Sequence, residues 1–122
     1  MALEHEEITG QIIGAAYEVY RVLGYGFLEK VYQRAMQVEL RRRGLRADTE
    51  SAIEVRYKDE IVGDYRADLL VEGVVIVEIK VARAYCPEHE PQLLNELKAT
   101  RIRVGLLINF GRIKVESKRM VF

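Results

Sequence analysis

The chain lacks most of the features that would assign it on sight. It has one cysteine, Cys86, in 122 residues, so no disulfide can close within it, and this usage fits a reducing compartment. It has two histidines, His5 and His89. Cys86 and His89 make a C-x-x-H, but no second ligand pair exists to complete a zinc tetrahedron, and the lone thiol has no other partner for nucleophilic chemistry. No apolar run approaches the ~20 residues needed to cross a bilayer. The opening MALEHEEITG has acidic residues where a secretory signal has basic ones, so a cytoplasmic protein without membrane association is expected. No Walker loop or dinucleotide fingerprint occurs: the glycines of GYG at 24–26 precede a helix but follow another helix, not a strand. With no repeat, linker or low-complexity stretch, the length predicts one domain over residues 1–122.

Charge of one sign is also missing, since 19 Lys and Arg balance 19 Asp and Glu. The chain as a whole is no polycation, yet its charges are unevenly spread. From Leu97 onward there are seven basic residues (Lys98, Arg101, Arg103, Arg112, Lys114, Lys118 and Arg119) against one acid, Glu116. Arg41, Arg42 and Arg43 form a second basic cluster. Both suit a polyanionic partner, although cations at a helix C-terminus also complement the helix dipole.

What is present is a regular alternation of patterns. Ile8, Ile12, Ala15, Ala16, Val19 and Leu23 form an apolar stripe for a helix over roughly 4–23. After GYG, a second helix is predicted over about 27–43, with Leu28, Val31, Tyr32, Ala35 and Met36 on its stripe and Gly44 as its stop. SAIEVRY alternates as a half-buried strand does; KDE turns it into IVGDYRADLLV, and Glu72-Gly73 turns that into GVVIVEIKVAR. These short turns predict an antiparallel meander. A third helix over about 88–100 places Leu93, Leu94 and Leu97 inward, with Pro87 and Pro91 at or before its first turn. VGLLINF then reads as a buried strand and IKVESKR as an edge strand. The order ααβββαββ predicts an α/β fold, in the α+β sense of a mixed sheet with helices packed on it.

One strand carries an energetic problem. Six of the eight residues from Val74 to Val81 are aliphatic, which predicts burial on both faces, yet Glu78 and Lys80 lie inside the run. Alternation puts both on one face, with Ile79 on the other. Asp68 on the preceding strand, counted back from the turn, falls near the level of Glu78. Two carboxylates converging at one end of a sheet repel unless something positive lies between them, and a divalent cation with oxygen ligands resolves this economically. Lys80 could then hold a water or phosphate oxygen. The structural alternative is a salt bridge between Glu78 and Lys80 with no chemistry attached.

At these residues the chain resembles a known pattern. Asp68, nine intervening residues and then Glu78-Ile79-Lys80 resemble the D…(D/E)xK signature of the PD-(D/E)XK nucleases. GFLEKVY at 26–32 reads G-x-x-E-x-x-Y, and together with YRADLLVEGVVIVEIK, HEPQLLNELKAT and GLLINFG it is similar to the GxxExxY branch of that superfamily. The resemblance runs from about Ile12 to Val121. It implies a restriction-endonuclease-like αβββαβ core, here with an extra N-terminal helix and a C-terminal edge strand. It also implies Mg2+, with Mn2+ as a possible substitute, held by Asp68, Glu78 and the Ile79 carbonyl. Lys80 would position or activate the attacking water, Glu29 would contact the metal directly or through water, and Gln92 would orient the site or touch the nucleic acid. Some branches place a tyrosine four residues after that glutamine; this chain has Glu96, which adds negative charge near the proposed site.

Ordinary readings stand beside several of these. With Gly26 as cap, Glu29 at the third position would serve the first helical turn, though its spacing to Tyr32 and Met36 turns it partly toward the core. Gln92 on a surface helix needs no special role. Tyr32 reads as packing, with a hydroxyl that could reach a site carboxylate. His89, one turn before Gln92, could approach the site or be a simple helix-start residue. The expectation is a metal-dependent nuclease acting on nucleic acid, DNA above RNA, by metal-activated water attack. The alternative is a weakly active or inactive nuclease-fold module that binds nucleic acid or a protein. A homodimer is compatible with the sequence but does not follow from it.

Overall fold

The computed structural model describes residues 3–122. Two helices, α1 (Glu6–Leu23) and α2 (Glu29–Arg42), precede three strands, β1 (Ala47–Tyr57), β2 (Glu60–Val71) and β3 (Val75–Lys80). A 3-10 turn at Pro87–His89 leads into α3 (Glu90–Thr100), followed by β4 (Val104–Phe110) and β5 (Val115–Val121). The strands form one five-stranded sheet in sequence order, antiparallel except where β3 runs parallel to β4. This is the expected αβββαβ unit, with α1 added in front and β5 on the edge.

The turns follow from residue chemistry. Lys58 and Asp59 join β1 to β2, and Glu72 and Gly73 begin the link from β2 to β3; all four have positive φ, as tight hairpins require. In β3 the predicted double burial is present: Val75, Val77 and Ile79 pack with α1 and α2 against Ile12, Tyr32 and Met36, while Ile76 faces the other way onto Leu93 and Leu97 of α3. The sheet is thus the middle of three layers. Close docking of α3 depends on Gly105 of β4, where an added Cβ would meet Leu93 Cδ1 at 2.8 Å. Leu93 is fully buried, so truncating it to alanine would cost about 2–5 kcal/mol.

The structure moves several expected boundaries. α1 begins at Glu6 rather than Glu4. β1 begins at Ala47, four residues before SAIEVRY, because α2 covers its start: Gln37 Nε2 donates to the Ala47 carbonyl at 3.0 Å. Pro91 lies within the first turn of α3, and the segment before it tightens into the 3-10 turn. Gly26 does not cap α2; the cap is Leu28, in extended conformation, which makes Glu29 the first helical residue.

Candidate active site

The candidate site lies where two strands part. The β2–β3 ladder pairs Val71 with Val75, Leu70 with Ile76 and Leu69 with Val77, and stops one residue short of Asp68 and Glu78. Beyond that point a carboxylate replaces the backbone as acceptor: Asp68 Oδ2 accepts the Ile79 N–H at 2.7 Å. A buried strand N–H must be satisfied, so part of the cost of placing Asp68 here is offset by this bond. On the other side of Asp68, β1 is irregular. Thr49 pairs with Leu69 and Ser51 with Ala67, leaving Glu50 between them opposite Asp68 with a φ of 53°. Glu50 turns its carboxylate to Lys30 of α2. Gln33 of α2, almost fully buried, donates from Nε2 to the Asp68 carbonyl at 2.9 Å.

Glu78 is 2% exposed and lies on the Ile76 side of β3, facing α3. Its neighbours there are acidic: it is within hydrogen-bonding reach of both Asp68 and Glu96. Glu96 is fully buried on α3. One oxygen of each, Glu78 Oε1 and Glu96 Oε1, is buried without a hydrogen-bond partner. Burial above all, then the Glu96 and Asp68 carboxylates, holds Glu78 well above the usual carboxylate range. Burial likewise raises Asp68, against the opposing pull of the Ile79 N–H, and it raises Glu96. Lys80 is half-buried at the end of β3 and forms no ion pair among the described residues, so the simple Glu78–Lys80 salt bridge does not occur.

The remaining predicted residues divide. Glu29 is exposed at the start of α2 rather than partly turned to the core, because it precedes the buried stripe of Tyr32, Met36 and Leu40. Its carboxyl is raised first by desolvation and next by Asp68, and Lys80 pulls the other way, which ties it electrostatically to the fork. Gln92 donates to Glu96 Oε2 at 3.4 Å. Tyr32 does not bond a site carboxylate. Its hydroxyl donates to the Gly24 carbonyl and accepts from Phe27 N at 3.4 Å, and its ring stacks on Phe110 with centroids 4.5 Å apart. Within G-x-x-E-x-x-Y, the glycine (φ 113°) and the tyrosine therefore shape the loop, and of the three only Glu29 is linked electrostatically to the acidic fork. His89 caps α3 without a side-chain cap bond, and Cys86 is a free thiol.

Sequence reasoning missed Gln33 and Glu50 and saw Glu96 only as a departure. Gln33 carried a readable signal, lying one helical turn after Glu29 on the same face. The basic clusters are partly committed elsewhere: Arg43 bonds Glu39 and Gln11, Lys118 bonds Glu90, and Arg103 bonds Glu4. Arg56, which pairs with Glu54, joins Lys98 and Arg101 in lining a groove of about 510 Å³ between the β1–β2 hairpin and α3, with Tyr65 and Asn95.

The donor set is hard oxygen, which suits Mg2+ or Mn2+ rather than a soft metal. Among the described residues, no three His, Cys, Asp or Glu side chains are grouped to hold one metal ion. Mg2+ takes one or two carboxylates and completes its shell with water, so the Asp68–Glu78 pair is a sufficient set, and the orphaned Glu78 oxygen is suited to a cation.

Comparison with known proteins agrees with this fold. Residues 6–120 match the PD-(D/E)XK nuclease superfamily, whose members typically use divalent metals and act on nucleic acid. The crystal structure of SSO0001 superposes with a TM-score of 0.61 at 18% identity, covering 96% of this chain and 59% of that one, and it shares the fold. This chain thus corresponds to little more than half of that protein. No curated protein matches the sequence. No helix among the described residues is long and apolar enough to cross a membrane.

Proposed function

The chain belongs to the PD-(D/E)XK nuclease superfamily, and from that premise we propose that it is a Mg2+-dependent phosphodiesterase of the GxxExxY branch, cutting nucleic acid, DNA above RNA, in the cytoplasm. Asp68, Glu78 and the Ile79 carbonyl hold the cation, for which Mn2+ can substitute. A cation held there neutralises charge on the scissile phosphate and makes water a stronger acid at neutral pH. Lys80 donates hydrogen bonds to the attacking water and to a non-bridging phosphate oxygen, and its charge offsets the negative charge that grows in the pentavalent transition state. Glu29 lies at the mouth of the fork, where it can accept from water. Gln92 orients Glu96. Residues 1–122 act as one domain.

The observation that carries this reading is the convergence of Asp68 and Glu78 at the point where β2 and β3 part, beside a Lys80 with no ion-pair partner among the described residues. The groove lined by Arg56, Lys98 and Arg101 is where the phosphate backbone would lie. A second reading, a nuclease-fold module that binds without cutting, is favoured by one feature, the extra buried carboxylate of Glu96.

The test is cleavage of single-stranded, duplex and branched DNA, and of RNA, in Mg2+ or Mn2+, beside Lys80→Ala and Glu78→Ala. Metal-dependent cleavage by the wild type and its loss in both variants is expected. Cleavage that survives both would overturn the reading, and binding without cleavage would favour the second.

A further inference from the structure

The turn between β4 and β5 holds an isoleucine almost wholly in water. Ile113 is 87% exposed, and Arg112 and Lys114 on either side of it are exposed as well. A single exposed apolar side chain is ordinary, but this one is presented by a braced turn. Gly111 N donates to the Lys114 carbonyl at 3.1 Å, and the Tyr20 hydroxyl of α1 donates to the Gly111 carbonyl at 2.6 Å. The loop after β3 is fastened to the same turn. Arg112 N donates to the Arg83 carbonyl at 3.0 Å, and buried Asn109 bonds both the N–H and the carbonyl of Ala82, at 2.8 and 3.0 Å. The segments meet so closely at Gly111 that an added Cβ would lie 2.8 Å from the Lys114 oxygen and 3.1 Å from that of Arg83. Among the described residues, Arg83, Arg112 and Lys114 form no ion pair. Glu116, the acid nearest the turn in sequence, accepts from Tyr85 N.

Strand register places this turn at the fork end of the sheet. Lys80 pairs with Asn109 across the parallel ladder, so the turn begins two residues, roughly 7 Å, past the level of Lys80. In strand order the fork separates the β1–β2 hairpin, which lines the basic groove, from the β4–β5 turn. A strand of nucleic acid laid from the groove across the fork would meet Ile113 next. We propose that the β4–β5 turn is a wedge: Ile113 enters the base stack at a weakened step, while Arg83, Arg112 and Lys114 hold the phosphates around it. An aliphatic side chain inserted between bases gains apolar contact and loses base stacking. That loss is least where the stack is already interrupted, at a nick or a branch. The inference rests on the nucleic-acid reading above and narrows its substrate class to DNA with an interrupted stack. A lipid surface suits the turn less well, since one isoleucine offers little apolar area to bury in it.

Binding in EDTA tests this without any need for cleavage. Oligonucleotides carry 2-aminopurine, whose fluorescence rises on unstacking, beside a nick, beside a branch or within continuous duplex. The wild type is expected to raise the fluorescence at the nick and the branch, and to bind these DNAs more tightly than continuous duplex. Ile113→Ala, at an exposed position, should abolish the rise and weaken binding to the interrupted DNAs about tenfold, with continuous duplex unchanged. Arg112→Ala combined with Lys114→Ala should lower the slope of log affinity against log salt by about 2. An equal rise and equal affinity in Ile113→Ala would overturn the inference, as would wild-type binding that ignores nicks and branches, or no binding to any of these DNAs. Capture by phosphatidylserine vesicles that depends on Ile113, with no effect on DNA, would also overturn it. Metal-dependent cleavage that is lost in Glu78→Ala would leave the proposed function standing in each of these cases.

Discussion

Glu78→Gln should make the metal-free protein more stable, and increasingly so as pH rises. Glu78 is nearly inaccessible to water and faces two other carboxylates, so the fold favours its neutral form and its proton is held well above the ordinary value of 4.5. The unfolded chain releases that proton near the ordinary value. Above it, the native state binds more protons than the unfolded state, and stability falls as pH increases. Each proton held in this way contributes a slope of about 1.4 kcal/mol per pH unit. Between about pH 6 and about pH 8 the Glu78 proton alone therefore costs up to about 3 kcal/mol, a large share of the ~5–15 kcal/mol typical of a domain. Asp68 and Glu96, raised by the same burial, act in the same direction. Glutamine has the same shape and carries no charge, so it removes one proton's share of the slope. Urea denaturation in EDTA at three pH values, for the wild type and Glu78→Gln, measures it, and saturating Mg2+ should flatten the wild-type slope. Parallel pH profiles for the two proteins would refute the reasoning.

Other consequences concern the supports of the site. Tyr32→Phe keeps the stack on Phe110 and loses the bond to the Gly24 carbonyl, so it should cost about 1 kcal/mol in a denaturant melt and leave Mn2+ affinity unchanged. Gln33→Leu leaves the Asp68 carbonyl without its donor; the expected loss is about 1–3 kcal/mol together with weaker Mn2+ binding, read by calorimetry. Gly26→Ala meets a φ of 113° that side chains rarely adopt, and a melt should show a penalty of about 1–3 kcal/mol. Lys98→Ala and Arg101→Ala in the α3 groove should each lower the slope of log affinity for DNA against log salt by about 1, measured by anisotropy at several salt concentrations.

Much of this architecture is legible in the sequence, and for local reasons. Helical stripes, period-two alternation in the outer strands and largely aliphatic runs in β3 and β4 mark the elements, and the turn residues at 58–59 and 72–73 force adjacent antiparallel strands. The charged pair in an aliphatic strand points to the fork, and counting back from Glu72-Gly73 brings Asp68 level with Glu78. What stays hidden depends on packing between distant segments. Nothing in the local pattern tells that α3 lays Glu96 against Glu78, or that Glu50 kinks β1 opposite Asp68. The bonding of Tyr32 escapes for the same reason: its ring position follows from helical spacing, but the destination of its hydroxyl depends on how the loop at 24–27 folds back over it. Gly26 cannot be separated from Leu28 as the cap of α2, since both lie where the chain must leave one helix and enter the next.

If Asp68 and Glu78 hold a catalytic cation beside Lys80, anomalous diffraction from Mn2+-soaked crystals will locate it. A manganese peak is expected within about 2.2 Å of oxygens from both carboxylates, with Lys80 Nζ on the same side of the sheet. A peak elsewhere, or none at a saturating concentration, would contradict that placement.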